Sequence, residues 1–164
     1  MPWTNPTQPN VTDYASYLYG EVGIQVGCLP TNSNWIPLTL SVAVATVNQA
    51  LGAVASPANA ALGTITVSPY VQAVYNLAAD TLYNLAMDVP GQSYFADKRR
   101  EWKLLEPQVG VYASASDQGT SGGVLNPEQL RTLTLANLQQ LKTPWGRAYL
   151  ALAQAYGPAL WGLT

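Results

Sequence analysis

Histidine is absent from this chain of 164 residues, cysteine occurs once, and charge is scarce, with seven Lys and Arg against nine Asp and Glu. Without histidine the Ser-His-Asp and Cys-His arrangements are excluded, and so are most zinc sites. A lone Cys28 cannot form an internal bridge; it reads as a small apolar filler, and nothing demands an oxidising compartment. The formal net charge of −2 argues against a protein that wraps nucleic acid by neutralising phosphates, although a passage lined for DNA tolerates it. Long apolar runs are missing as well. The most apolar stretch, 38–54, is interrupted by Ser41, Thr46, Asn48, Gln49 and Gly52, and residues 1–10 have no basic start, so neither a membrane span nor a secretory signal is expected.

What fills the chain is Ala, Leu, Val, Thr, Asn and Gln, with ten Tyr and five Trp, a composition that packs against protein through apolar and uncharged polar contacts. The length fits one domain, 1–164, able to bury a core without metals or disulfides. Charged residues are 10% of the chain, where about a quarter is usual. A monomer with so little charge is poorly protected against self-association, whereas a subunit covered by neighbours has less need of it.

Helix signals recur with their punctuation, and strand alternation is weak. Thr12 is placed to cap a first helix carrying Tyr14, Tyr17, Leu18 and Val22, eroded by Gly20, Gly23 and Gly27. After a turn over 29–34, a second helix opens near Trp35 with Pro37 in its first turn, and Ile36, Leu40, Val44, Val47 and Leu51 predict that it is largely buried. A loop over 56–67 leads to Ser68-Pro69, a cap and N1 proline, and to the clearest amphipathic segment, with Val71, Val74, Tyr75, Ala78, Leu82 and Leu85 on one stripe. Pro90-Gly91 ends it. Ser93 is placed to cap a fourth helix through Phe95 and Trp102 to Leu105. Residues 107–126 show no helical period and read as a long loop or protruding arm. Asn126-Pro127-Glu128-Gln129 then opens a fifth helix with Leu130, Leu133, Leu138 and Leu141, and Thr143-Pro144 opens a last one reaching Tyr156. The class predicted is all-α, a bundle of five or six helices with an arm and an extended apolar C-terminal tail over 159–164.

Candidate chemistry is thin. Paired carboxylates able to cut a glycosidic bond would come from Asp80, Asp88, Asp97, Glu101 and Glu106, two of which must face one cleft. Asp80, amid Asn76 and Asn84, reads as solvated, Ser116-Asp117 as loop polarity, and Gly122-Gly123 lacks the spacing and Lys of a phosphate-binding loop. No catalytic residue, cofactor or metal is therefore expected. The dense charge run Asp97-Lys98-Arg99-Arg100-Glu101-Trp102-Lys103 reads either as a solvated face laced by opposite charges or as a patch whose Arg99 and Arg100 contact an acidic partner or phosphate. Trp35, Trp102, Tyr14, Tyr75 and Tyr156 fall on helical stripes and belong to the core. Trp3, Tyr17, Tyr19 and Trp161, near the two termini, are the candidate interface anchors, joined in the tail by Leu160 and Leu163.

Leu29-Pro30 with Trp35-Ile36-Pro37-Leu38, then Val44 to Val47-Asn48, then Ala73-Val74-Tyr75-Asn76-Leu77-Ala78-Ala79-Asp80 resemble small proteins encoded among the virion structural genes of tailed bacteriophages. The resemblance continues in Pro90-Gly91-Gln92-Ser93-Tyr94-Phe95-Ala96-Asp97 and is firmest in Asn137-Leu138-Gln139-Gln140-Leu141-Lys142-Thr143-Pro144-Trp145-Gly146-Arg147 and in Tyr156-Gly157-Pro158 with Leu160-Trp161-Gly162-Leu163-Thr164. In size and helical reading the chain is also similar to head–tail connector adaptors, small helical proteins that assemble, often as twelve copies, beneath the portal. The resemblance implies a structural homo-oligomer of the virion neck or tail, made in the host cytoplasm. It would sit as a ring between the portal protein and a downstream tail or nozzle protein and leave an axial channel for DNA without sequence-specific binding. A minor capsid, cement or tail-completion protein is the alternative in the same setting, and a virion-borne carboxylate glycosidase the remote one.

Overall fold

The computed structural model of the protein describes residues 8–48, 68–106, 115–117, 120–122 and 139–156. Five helices lie among them: α1 (Val11–Gly20), α2 (Trp35–Thr46), α3 (Pro69–Leu85), α4 (Tyr94–Glu101) and α5 (Pro144–Tyr156). A two-stranded antiparallel ribbon, β1 (Ala115–Asp117) and β2 (Thr120–Gly122), falls inside the stretch expected to be an arm, in the register Ala115↔Gly122, Ser116↔Ser121 and Asp117↔Thr120. The class is all-α. The predicted helix opening at Asn126, the loop over 56–67, Leu51, Trp3 and the tail with Leu160, Trp161 and Leu163 lie outside the described residues.

Ser68 and Pro69 start α3 as their residue types require: the Ser68 hydroxyl accepts from the Val71 amide, and proline fills the first helical position, where its missing N–H has no partner to lose. Around this helix the others pack. Nearly all of its circumference is buried, and Ala73, Ala78 and Ala79, all fully buried, keep its surface narrow enough for α2 and α5 to approach from different sides. The α1 and α4 helices add further contacts, and α1 also packs on α2. Tyr14, Tyr17 and Tyr75 cluster where α1 meets α3, with ring centroids 5.3 and 5.6 Å from Tyr75, and the Tyr75 hydroxyl donates to the Asn10 carbonyl.

Helix ends differ from the local reading in the cap of α1, in the group that caps α4 and in where α4 stops. The cap of α1 is Asn10 rather than Thr12, its side chain accepting from the Asp13 amide at 2.8 Å. Ser93 holds the N-cap position of α4 as expected, but its side chain makes no cap bond and Asp88 supplies it. The Asp88 carboxylate accepts from the amides of Phe95 and Ala96 at 2.7 and 2.9 Å, while the Ser93 hydroxyl donates to the Asp97 carboxylate. The α4 helix also stops at Glu101, short of Leu105, because Lys103 turns left-handed at φ 53°. Its amide then donates to the Arg100 carbonyl and that of buried Leu104 to the Arg99 carbonyl, the paired bonds of a Schellman terminus with lysine where glycine is usual. Among the described residues no helix is long and apolar enough to cross a membrane.

Candidate interaction surface

Among the described residues every cation is committed to the fold itself. Arg99, on α4, reaches back to the end of α3 and donates to the carbonyls of Tyr83 and Ala86 at 3.1 and 2.7 Å, satisfying acceptors that the helix leaves open. Lys142 donates to the carbonyls of Lys103 and Glu106, and Arg147 to that of Leu141. The remaining described cations pair one turn away with acids: Lys98 with Glu101, Arg100 with Asp97, and Lys103 with Glu106. Arg100 thus lies on a solvated face laced by opposite charges. One guanidinium nitrogen of Arg99 is thus engaged by backbone within its own chain, a tie to α3 that the reading of Arg99 as a partner or phosphate contact does not include. Only its position across a turn from α3 could reveal this, and no local pattern encodes it.

Asp80 is a correction. It lies in the interior of α3 with 4% of its surface exposed, not in solvent. Its carboxylate accepts from the Thr143 hydroxyl at 2.5 Å, and that same hydroxyl accepts from the Gly146 amide at 2.8 Å, capping α5. Burial pushes the Asp80 carboxyl up to about 6, against a lowering pull from Thr143. Gly146 is what allows the approach: a Cβ there would collide with the Gln140 carbonyl and stand 2.9 Å from Asp80 Oδ1. The other four candidate acids, Asp88, Asp97, Glu101 and Glu106, cap α4 or form the ion pairs above, so each has a fold-building partner.

The aromatic anchors divide. Tyr17 is buried, not on the surface, and donates to the Asn76 side chain at 2.9 Å; it belongs to the core because α1 presents the face carrying it to α3. Tyr19 is half-buried and donates to the Leu29 carbonyl, tying α1 to the turn that follows. Trp35 and Trp102 are half-buried against the core, and Tyr14 and Tyr75 are fully inside it. Trp3, Leu160, Trp161 and Leu163 are outside the described residues.

The surface that local reasoning missed is the outer face of α2. The helix was expected to be largely buried, yet only one face, with Ile36, Thr39, Leu40 and Ala43, turns inward. Its other face carries Pro37, Leu38, Ser41, Val42 and Ala45, with Leu38 46% and Val42 42% exposed. No charged residue occurs between Glu21 and Asp80. The exposed hydroxyls are also withdrawn: Ser41 donates to the Leu38 carbonyl at 2.7 Å and Thr46 to that of Val42 at 2.8 Å, both inside the helix. The face therefore offers water few polar groups, and covering it costs little desolvation. Beside it, a groove of about 510 Å³ between α1 and the start of α2 is floored by Val11, Ala15, Tyr19 and Ile36 and rimmed by uncharged Thr, Ser and Asn.

No protein-family model matches this chain, and no curated protein and no solved structure is detectably similar to it.

Proposed function

We propose that the chain is a structural subunit of a tailed-bacteriophage virion, most specifically a head-to-tail connector adaptor that closes into a ring between portal and tail around a channel for DNA. The observation that carries the reading is the outer face of α2, a helix uncharged on all sides, on which Leu38 and Val42 stay part-exposed among the described residues. A helix of that kind belongs inside protein, and a neighbouring subunit supplies the missing cover. In a closed ring each copy uses two different surfaces, so one copy's α2 face meets another patch on the next. The phage setting rests on the quoted stretches from Leu29-Pro30 to the terminal Leu160-Trp161-Gly162-Leu163-Thr164, and the ring on the similarity to connector adaptors.

Light scattering on the purified full chain at micromolar concentration tests assembly. A single multimeric mass is expected, and a Leu38→Glu, Val42→Glu double variant should sediment as a helical monomer. A wild-type chain that stays monomeric overturns the subunit reading. Image reconstruction of the particle neck then separates the roles: density on the tail axis supports the adaptor, and density on the shell assigns the chain to capsid cement instead.

A further inference from the structure

The contact between α3 and α5 carries a group that the assembly reading does not use. Asp80 is buried in that contact, and its carboxylate meets the hydroxyl that caps α5. A buried carboxylate normally has a cation or several amides around it. Among the described residues the nearby cations are engaged elsewhere: Arg99 of α4 on the carbonyls of Tyr83 and Ala86, Lys142 on those of Lys103 and Glu106, and Arg147 of α5 on that of Leu141. Lys98 and Arg100 of α4 face Glu101 and Asp97, α2 has no charge, and α1 brings only the acids Asp13 and Glu21, with Glu21 just past its end. The packed helices also carry the phenols of Tyr70 and Tyr94. Burial pushes those of Tyr14, Tyr17, Tyr19, Tyr75, Tyr83 and Tyr149 upward and so keeps them neutral.

We propose that Asp80 is a proton-controlled clasp: with a proton on its carboxyl, α5 is held firmly on α3, and loss of that proton loosens the helix. The carboxyl is buried with α5 docked, and withdrawing α5 would open it to water, so docking and proton uptake are linked. The direction follows from the shift. The docked group titrates near 6 against 3.8 for a free aspartate, so its support for docking is complete below the lower value and is lost as pH rises through the upper one. The clasp tightens in mild acid, opposite to the behaviour of an ion-paired aspartate. Thr143 transmits the effect, because its one hydroxyl serves both the Asp80 carboxylate and the first turn of α5.

Amide hydrogen exchange of α5 in the full chain, corrected for the intrinsic pH dependence of exchange, tests this. Protection should rise about tenfold from pH 7 to pH 5 in the wild type. In Asp80→Asn, which keeps an acceptor for Thr143 without the charge, protection should lose that slope and stand at pH 7 near the wild-type acid value. Wild-type protection that is flat over this range, or an unchanged slope in Asp80→Asn, overturns the proposal. If Asp80→Asn does not fold, carbon NMR titration of the wild-type Asp80 carboxyl decides: a midpoint near that of a free aspartate refutes the clasp, and one near 6 supports it.

Discussion

The Tyr83 ring lies flat on the indole of Trp145, with centroids 4.8 Å apart and planes 9° from parallel. One ring comes from α3, three residues after Asp80, and the other from the first turn of α5, two residues after Thr143, so the stack is a second tie between the two helices that the Asp80–Thr143 bond joins. Tyr83 is also met edge-on by Trp102 at 4.9 Å and Phe95 at 5.7 Å, and shares a 2.8 Å hydrogen bond with the Tyr94 hydroxyl. A double-mutant cycle of Tyr83→Leu and Trp145→Leu, followed by circular dichroism in urea, should return a coupling of about 1 kcal/mol beyond lost burial. A coupling near zero would reduce the stack to ordinary packing.

Gly146 should tolerate no side chain. Adding one methyl drives it into the Gln140 carbonyl and toward the Asp80 carboxylate, neither of which is the free end of a flexible chain. Gly146→Ala is expected to destabilise the protein by about 3 kcal/mol, the upper part of the range for overpacking, with no compensation from alanine's better helix propensity. The midpoint of urea unfolding measures it, and an unchanged midpoint would mean that α5 shifts freely on α3.

Neighbouring arginines should behave differently. Arg99→Met removes the guanidinium from the carbonyls of Tyr83 and Ala86 and should cost about 2 kcal/mol. Arg100→Ala breaks only an exposed pair with Asp97 and should change stability by less than about 0.5 kcal/mol. Equal effects in parallel unfolding curves would contradict this division.

Lys103 holds the left-handed position that closes α4, where a Cβ is a liability. Lys103→Gly should stabilise the protein by about 1 kcal/mol, since its carbonyl remains available to Lys142 and the exposed pair with Glu106 is worth little. Thermal denaturation reads the gain, and a loss would show that the lysine side chain matters more than its backbone.

Helix identity was written locally. Ser68-Pro69 and Thr143-Pro144 announce α3 and α5 because a cap and an N1 proline act within one turn. The stripe of Val71, Val74, Tyr75, Ala78 and Leu82 is buried as its spacing indicates, but Leu85 at its end is exposed and α3 is buried on nearly every other side as well. The misjudged boundaries had partners beyond that range or an atypical residue. Asp88 caps α4 from outside the helix, across the Pro90-Gly91 turn, and Lys103 ends it without the glycine that usually signals a stop.

Composition and periodicity, then, determined the all-α class, the starts of the long helices and the shortage of groups for acid–base or metal chemistry, since each depends on residue type or on neighbours within a turn or two. Only the tertiary structure decided that Asp80 lies inside, that Arg99 serves the end of α3, that Tyr17 belongs to the core, and that one side of α2 stays part-exposed among the described residues. Those outcomes depend on which helix lies against which. A polar side chain ends up solvated or buried according to what arrives from a distant part of the chain, and residue spacing carries no record of that arrival.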